Sequence, residues 1–322
     1  VFAHRYSDHF RTRLTHTLEV TQISRTVARV LRLNTELVEA LALVHDVGHP
    51  PFGHAGEAIL GRLMARYHDR FDHNLHALRI VESFERKYAA FPGLNLTFEV
   101  REGIIKHSRD YDPELYPELR EYRLSEQPPL EAQLIDLTDE ITYNSADLDD
   151  GYESGLLGVR AIRAGVPLFD RFYRQVERRY PAALEKLKFN EALKRLLDAL
   201  VTDLIAATRS RVQKRRLRSV EAVRVHESRL TDLSPPLRRE NQRLKRFLHR
   251  HLYSHENISA ERRQIVKHIE RLFDYFVAHP RRLPGAHFEK TRQDPVHRVV
   301  CDYIAGMTDN YLETQYRKYV GE

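Results

Sequence analysis

The sequence contains few residues that interrupt helices, a single cysteine and no long apolar run. Cys301 is the only cysteine, so an intrachain disulfide and a cysteine-rich metal site are excluded, and a buried core position is expected for it. No apolar run reaches the about 18 residues of a membrane-spanning helix. Residues 1–13 lack the apolar segment of a secretory signal. These absences favour a cytoplasmic protein without a membrane span.

Charged residues are abundant, and the positive ones are in excess. The 322 residues include 52 Lys and Arg against 46 Asp and Glu, which gives a formal charge of +6. This excess favours an anionic partner, either nucleic acid or a phosphorylated small molecule, and charge alone does not choose between them. The basic stretches Arg209–Arg218 and Arg238–Arg250 are expected to be solvated helix faces, with phosphate contact as the alternative. Phe247 is their only aromatic residue, so a base-stacking groove is not indicated.

Apolar residues recur at helical spacing through most of the chain. The pattern predicts a first helix that ends near Leu33 and a second that Asn34 caps and that Gly48 and the following prolines stop. Strand-like alternation is scarce, and Leu94–Phe98 is the best candidate. Further helices are predicted at about residues 55–67, 74–90, 98–108, 129–149, 168–184, 188–213, 217–228, 236–251, 257–278 and 294–318, with a turn-rich segment at 151–167.

The sequence therefore predicts an all-α protein with a subdivision near residue 155. Residues 1–155 would form a helical core, and residues 156–322 a C-terminal helical region packed on it and contributing to oligomerisation. With 322 residues, the chain is long enough for one large core or two modest ones.

Histidines and carboxylates concentrate in one short segment. His45, Asp46, His49 and His54 lie within ten residues at the end of an apolar helix, just before a Gly-Pro-Pro break. Adjacent side chains on a regular helix diverge by about 100°, so neighbours such as His45 and Asp46 can reach one ion only where the helix ends. Gly48 and the prolines supply that irregularity. Alone, a His-Asp pair is more often a helix-end ion pair.

Two further elements place ionisable groups among apolar residues. His16 lies in the first helix, and Asp139 lies in the acidic helix Leu134–Ile141. Such groups are costly to bury unless they are paired or bound to metal. Two imidazoles and two carboxylates suit Mn, Fe, Co, Ni or Mg with open coordination positions better than a closed structural zinc site.

Taken together, these motifs resemble the His…His-Asp…Asp pattern of the HD phosphohydrolase superfamily. Within it, the chain is similar to the shorter bacterial form of the deoxyguanosine-triphosphate triphosphohydrolase family, from residue 1 to about residue 320. The runs that carry the likeness are Arg13–His16, His45–His54, Phe71–Asn74, Asp139–Asn144, Asp147–Gly151 and Asp302–Asp309.

The resemblance implies one divalent metal per subunit, Mn, Mg, Fe, Co or Ni, whose ligands are His16, His45, Asp46 and Asp139. Water and an α-phosphate oxygen would take the remaining positions. It also implies that His54, three residues before Glu57 on one helix face, protonates the leaving 5′ oxygen, while Glu57 orients or charges it. Which of the two acts as base stays open.

Several other residues are implied to contact the substrate. Arg13, three residues before His16, presents a guanidinium suited to triphosphate oxygens. Tyr143 would stack beneath the deoxyribose and exclude a 2′ hydroxyl, and Asp147 would accept from the 3′ hydroxyl. Further residues implied to reach phosphate, line the cleft or support the ligands are His49, His73, Asn74, Lys106 and His107. For His49, and for Lys106 with His107, a structural role is an equally good interpretation.

The implied activity is hydrolysis of a deoxynucleoside triphosphate to deoxynucleoside and triphosphate, in a homo-oligomer that is a hexamer or tetramer. The resemblance also implies an upstream segment that helps to form the nucleotide pocket. The sequence, which starts with Val1, would begin where that segment finishes. One alternative is an HD phosphohydrolase acting on nucleoside monophosphates or cyclic phosphates. Another is a nucleic-acid-binding regulator with a vestigial metal site, which no helix-turn-helix or basic-aromatic groove supports.

Overall fold

The chain is mainly helical in the part that the computed structural model describes, residues 12–254 and 256–321, with side chains described for all of these except 256–263. The described residues contain no β-strand, and their isolated β-bridge joins Arg86 to Gly93. The predicted all-α class is therefore confirmed. No helix among these residues is long and apolar enough to cross a membrane.

Fifteen α-helices are present in the described residues. In chain order they are α1 (Arg13–Leu31), α2 (Thr35–Val44), α3 (His54–Ala65), α4 (His73–Arg79), α5 (Phe98–Lys106), α6 (Leu130–Glu153), α7 (Val159–Gly165), α8 (Pro167–Arg179), α9 (Glu185–Lys214), α10 (Val220–Arg224), α11 (Pro235–Leu248), α12 (Glu256–Ala278), α13 (Gly285–Lys290), α14 (Val296–Ala305) and α15 (Asp309–Tyr319). Short 3-10 helices span Pro117–Tyr122 and Pro280–Arg282, and π-helical turns span Ile80–Phe84 and His249–Tyr253.

The chain forms two compact units that alternate along the sequence. Within the described residues, the first unit comprises 12–43 and 98–254, and the second comprises 44–97 and 256–321. The prediction near residue 155 was of a boundary between domains, and compact units of this kind do not by themselves define domains. It therefore stays a prediction.

In the first unit, the long helix α6 packs against α1, α5, α9 and α11. Ser24 of α1 and Thr138 of α6 share a buried hydrogen bond of 2.7 Å between their hydroxyl oxygens. At Gly103 of α5, a Cβ would lie 2.3 Å from Leu41 Cδ2, so only glycine allows this approach. These contacts fix α1 and α6, the two helices that carry His16 and Asp139.

Local capping sets the ends of α1 and α2. The Thr12 hydroxyl accepts from the Thr15 backbone N–H, and the Thr15 hydroxyl accepts from the Thr12 N–H, which forms a reciprocal cap. α1 ends where Arg32 takes a left-handed conformation with φ of 60°. The Asn34 side-chain oxygen then accepts from the Leu37 N–H at 3.0 Å, as the sequence predicted for the start of α2.

The second unit has its own apolar core, in which α3 packs against α12 and α14, and α12 packs against α15. Cys301 is fully buried there, and burial raises the pKa of its thiol well above the ordinary value, so its expected core position is confirmed. The buried members of this core are Ile59, Leu60, Leu63, Met64, Phe71, Ile265, Ile269, Leu272, Phe273, Phe276, Leu283, Val299, Val300, Cys301, Tyr303, Ile304, Ala305, Met307 and Leu312.

Several predicted elements differ from the structure. The strand candidate Leu94–Phe98 was wrong, since residues 94–97 are irregular and Phe98 begins α5. The predicted helix 294–318 is two helices, α14 and α15, because Thr308 caps a new helix by accepting from the Tyr311 N–H. The predicted helix 74–90 ends at Phe84, beyond which Glu85 is extended.

Two further segments also differ from the prediction. The predicted helix 217–228 shrinks to α10. The segment 151–167, expected to be rich in turns, contains the end of α6 and the whole of α7. Short helices of this kind bury few apolar residues, so their periodicity is weak.

A buried ionic cluster holds the C-terminal half of α5 in the first unit. The Glu102 carboxylate is fully buried and receives both Arg224 guanidinium nitrogens, one of them at 2.7 Å, and the Lys106 ammonium at 3.1 Å. Burial lowers the pKa of Lys106, and the Glu102 charge opposes that change. The two cations thus share one buried carboxylate as their anionic partner.

Removing this carboxylate is expected to destabilise the protein strongly. Glu102→Ala would leave two cations buried without their anion, and we expect the free energy of unfolding to fall by about 3–5 kcal/mol. Urea denaturation followed by circular dichroism measures this. Glu99→Ala, at an exposed position one turn earlier on α5, is the control and should change it by no more than about 0.5 kcal/mol. Equal losses in the two variants would contradict the prediction.

Candidate functional site

His16 and Asp139 form a close pair within the first unit. His16 Nε2 lies 2.8 Å from Asp139 Oδ1, and the two side chains are 16% and 35% exposed. The pair therefore offers an imidazole nitrogen and a carboxylate oxygen at a site that is partly shielded yet reachable. Arg13, the first residue of α1, is exposed one turn before His16.

The helix α6 continues this site with an aromatic and an acidic residue. Tyr143 and Asp147 follow Asp139 at intervals of four residues and thus share its helix face. Asp147 is buried and accepts a hydrogen bond from the Tyr253 hydroxyl, and the rings of Tyr143 and Tyr253 lie 6.1 Å apart. These contacts join a buried carboxylate to two neighbouring aromatic rings.

Burial raises the pKa of Asp147, and the hydrogen bond from Tyr253 opposes that rise. Burial and the neighbouring Asp147 carboxylate likewise raise the pKa of Tyr143 above its ordinary value. The tyrosine hydroxyls therefore stay protonated and act as hydrogen-bond donors, while Asp147 remains an acceptor for a ligand hydroxyl when it is ionised.

In the second unit, the segment after α2 carries His45, Asp46 and His49. α2 ends at Val44, and the chain then turns, so side chains that would diverge on a helix can converge. Asp46 Oδ1 lies 3.1 Å from His49 Nδ1 and 3.7 Å from His45 Nε2. His45 is buried, whereas the Asp46 side chain is 27% exposed. The predicted irregularity at this helix end is present.

Glycine is required in this turn. A Cβ on Gly48 would lie only 1.9 Å from the His73 carbonyl oxygen at the start of α4. Farther on, Phe52 and Gly53 both have positive φ, 62° and 56°, just before His54 begins α3. This backbone carries the chain from His49 to His54 in a tight loop.

Glu57 is the centre of a histidine cluster in the second unit. Its Oε1 lies 2.8 Å from His73 Nδ1, and its Oε2 lies 3.4 Å from His54 Nδ1. Burial raises the pKa of Glu57, but the hydrogen bonds with His54 and His73 outweigh it and hold the pKa well below the ordinary 4.5. Glu57 is therefore a stable anion between two imidazoles. The His54 side chain is 80% exposed and can meet a ligand.

His49 and Asn74 complete this cluster. The His49 ring stacks on His73 at a centroid distance of 4.0 Å, and burial lowers the pKa of His49 despite the neighbouring Asp46. Asn74 is fully buried in the first turn of α4, where the Asp72 carboxylate caps the helix by accepting from the Asn74 N–H at 2.8 Å. A neutral His49 can donate to a ligand oxygen through one ring nitrogen.

Lys106 and His107 lie elsewhere in the first unit, at the end of α5. Besides Glu102, the Lys106 ammonium contacts the carbonyl oxygens of Tyr122 and Arg123, at 3.3 and 2.8 Å. His107 is buried with its Nδ1 3.0 Å from the Ile104 carbonyl oxygen. These contacts are those of residues with a structural role. From the sequence, a structural role and phosphate binding were equally good interpretations.

The structure thus brings the predicted residues together in three groups, described separately for each unit. The first unit contains one group on α1 and α6. It also contains the pair at the end of α5, which makes the separate contacts described above. The second unit contains the histidine cluster. In the same order, the groups are Arg13, His16, Asp139, Tyr143 and Asp147; Lys106 and His107; and His45, Asp46, His49, His54, Glu57, His73 and Asn74.

Sequence reasoning missed Tyr253 and Asp309. Tyr253 ends the π-helical turn that follows α11, and no periodic pattern links it to Asp147, 106 residues earlier. Asp309 belongs to the motif Asp302–Asp309 that carries part of the resemblance, but its contact with the Phe52 backbone N–H spans 257 residues. Only the fold reveals pairings of this kind.

The donor atoms present fit a divalent metal. The first unit offers one imidazole and one carboxylate, and the second offers His45, Asp46 and a group of His49, His54 and Glu57 whose donor atoms lie within 4.8 Å of one another. Nitrogen and oxygen donors without thiolates suit Mn, Fe, Co, Ni or Mg.

The chain is similar to members of one protein family along almost its whole length. Residues 13–144 match the HD domain, and residues 231–318 match the phosphohydrolase-associated domain. Proteins named "Deoxyguanosinetriphosphate triphosphohydrolase-like protein" are 44% identical in Ralstonia nicotianae, 42% in Thiobacillus denitrificans and 40% in Geobacter sulfurreducens. Each alignment covers 99% of this chain and 81%, 84% and 82% of the relative, respectively.

The helical fold with its histidine and carboxylate clusters is that of an HD-domain phosphohydrolase. The HD match includes α1 and most of α6, and thus every predicted metal ligand. The identity over nearly the full length is specific, and the chain belongs to the family of deoxyguanosinetriphosphate triphosphohydrolase-like proteins.

The lowered pKa of Glu57 predicts how acid affects stability. Below pH 4.5 the unfolded chain protonates this carboxyl, while the folded protein keeps it ionised, so its contribution is complete above that pH and declines below it by at most about 1.4 kcal/mol per unit. We expect the difference in unfolding free energy between wild type and Glu57→Gln to shrink between pH 6 and pH 3.5, measured by urea denaturation. A difference that stays constant or grows would contradict this.

Proposed function

We propose that this phosphohydrolase is a metal-dependent deoxynucleoside triphosphate triphosphohydrolase. The reaction is dNTP + H2O to deoxynucleoside + triphosphate. The observation that carries the proposal is the single face of α6, which presents a carboxylate suited to metal at Asp139, an aromatic ring at Tyr143 and a buried acceptor at Asp147. The name that the relatives carry points to deoxyguanosine triphosphate as a substrate of that family.

The proposed metal ligands are His16, His45, Asp46 and Asp139. The His16–Asp139 pair and the turn that carries His45 and Asp46 support this set, because each offers nitrogen and oxygen donors that are partly shielded from water. When bound, a divalent ion at these ligands neutralises phosphate charge and lowers the pKa of water. Arg13, exposed one turn before His16, would contact the triphosphate oxygens.

His54 and Glu57 are proposed to manage the proton. Water attacks the α-phosphorus, the bond from phosphorus to the 5′ oxygen breaks, and that oxygen takes a proton as the deoxynucleoside leaves. His54 is exposed enough to supply this proton, and the permanent charge of Glu57 favours its protonated form. His73 fixes Glu57 from the other side, and His49 and Asn74 would line the same cleft.

The sugar is proposed to lie against α6. Asp147 would accept from the 3′ hydroxyl, and the Tyr143 ring would pack beneath the deoxyribose and exclude a 2′ hydroxyl. Tyr253 supports this role because its hydroxyl holds the Asp147 carboxylate in place. For Lys106 and His107, phosphate contact stays a prediction, and their contacts favour the structural role.

The wider setting is proposed on the resemblance. Dependence on Mn, Mg, Fe, Co or Ni, assembly into a homo-hexamer or tetramer, and a cytoplasmic location all stay predictions. A rival activity, on nucleoside monophosphates or cyclic phosphates, predicts different products. A nucleic-acid-binding regulator with a vestigial metal site predicts no turnover at all.

Product identity tests the proposal directly. With Mn, the purified protein should convert at least one dNTP to deoxynucleoside and triphosphate, with little turnover of NTPs, as resolved by ion-exchange chromatography. EDTA should abolish the reaction. Orthophosphate or pyrophosphate as the product would favour the rival phosphohydrolase, and no turnover with any metal would favour the regulator.

Loss of one proposed ligand should lower turnover far more than it lowers stability. We expect Asp46→Asn to reduce kcat/KM by about a hundredfold or more, since ligand changes of this kind weaken metal binding. Asp198→Asn, at an exposed position on α9, is the matched control and should keep wild-type activity. Metal content measured after dialysis should fall in Asp46→Asn only, and an unchanged kcat/KM would refute the ligand role.

Asp147 should control recognition of the 3′ hydroxyl. The wild type should favour a dNTP over its 2′,3′-dideoxy analogue, because a buried acceptor left without its donor is costly, by about 1–3 kcal/mol or roughly ten- to a hundredfold. Asp147→Ala, which removes the acceptor oxygens, should lose most of this preference. The measurement is the ratio of kcat/KM values for the two nucleotides, and a variant that keeps the full ratio would exclude the assigned role.

A further inference from the structure

The motif Asp302–Asp309 joins α14 to α15 in the second unit, and the proposed chemistry gives it no role. Its apolar residues Tyr303, Ile304, Ala305 and Met307 belong to the buried core of that unit. The segment is therefore a fixed platform, and the acidic residues at its two ends, Asp302 and Asp309, are held in place by it.

Asp302 anchors the helix that carries His73. The Asp302 carboxylate is buried, and it lies 2.6 Å from an Arg79 guanidinium nitrogen and 3.4 Å from His76 Nδ1, both on α4. His76 follows His73 by three residues and is itself buried. Burial raises the pKa of Asp302, but the neighbouring His76 ring and the Arg79 guanidinium outweigh it and hold that pKa below its ordinary value. The orientation of α4 is thereby fixed from the side opposite to its N-terminal cap.

Asp309 anchors the loop that leads to His54. Its Oδ1 accepts from the Phe52 backbone N–H at 2.9 Å. Phe52 has a φ of 62°, a left-handed conformation that is unfavourable for a bulky side chain and persists only where surrounding contacts impose it. The Phe52 ring packs against the core of the second unit, and the Asp309 carboxylate supplies a charged hydrogen bond to the same residue.

We propose that Asp302 and Asp309 are positioning residues that set the geometry of the His54–Glu57–His73 cluster. Asp309 fixes the loop at the His54 end, and Asp302 fixes α4 at the His73 end. Glu57 bonds both imidazoles at once, so a shift of either end lengthens one of its two contacts. The catalytic consequence of this inference rests on the proposed function, whereas its geometric part does not.

The kinetic test compares two substitutions at the same helix terminus. Asp309→Ala removes the acceptor for Phe52, whereas Thr308→Ala removes only the cap of α15. Both should lower Tm by about 2–4 °C. We expect Asp309→Ala alone to lower kcat by about tenfold or more with KM changed less than about twofold, because small misplacement of catalytic groups slows chemistry. Asp309→Asn, which retains an acceptor oxygen, should recover most of the loss.

A second readout needs no activity. In wild type, the Phe52 amide should exchange slowly with deuterium, and Asp309→Ala should accelerate exchange in residues 52–57 while Thr308→Ala leaves it unchanged. For the Asp302 end, Asp302→Asn should accelerate exchange in residues 73–79. These measurements use the intact chain and separate failure of the positioning role from failure of the proposed reaction.

The outcomes are distinct. Equal kcat values for Asp309→Ala and Thr308→Ala, or unchanged exchange in residues 52–57 of Asp309→Ala, would overturn the proposal. If the wild type lacked triphosphohydrolase activity but the exchange results held, the proposed function would fail and the geometric inference would stand.

Discussion

The arrangement of the second unit depends on one carboxylate, that of Glu57, which is shared by two imidazoles. The hydrogen bonds to His73 and His54 keep it charged despite its partial burial. The shared carboxylate constrains the positions of the neighbouring segments. The loop before α3 and the start of α4 must both come close to Glu57, and Gly48 is needed because a side chain there would collide with the His73 carbonyl. The steric and electrostatic requirements of the cluster are therefore met by the same short stretch of chain.

Two buried carboxylates of this protein differ in the kind of partner that they have. At Glu102, the carboxylate receives hydrogen bonds from two cations, Arg224 and Lys106, within the first unit, so each buried charged group there has a partner of opposite sign. At Asp147, a buried carboxylate receives a hydrogen bond from a neutral donor, Tyr253, and burial raises the pKa of that carboxylate. Perturbed groups of the second kind are typical of functional sites.

Much of the fold could be predicted from sequence, because long amphipathic helices have a strong period. The cap at Asn34 and the helix end before His45 follow from local chemistry and are present in the structure. The split between α14 and α15 was missed because the apolar pattern continues through it, and only the cap at Thr308 shows where the second helix starts. The histidine cluster could be located because its members are near one another in sequence. Tyr253 and Asp309 could not, since their partners are 106 and 257 residues away.

The alternation of the two compact units has a consequence for biosynthesis. Residues 44–97 leave the ribosome long before residues 256–321, which supply the other half of their core. At about 5–20 residues per second, the apolar face of α3, including Leu60 and Leu63, waits on the order of ten seconds or more for α12 and α14. The nascent chain must keep that face from aggregating in the interval. Sensitivity to chaperone supply and to translation rate is thus a property that the order of the segments imposes on this fold.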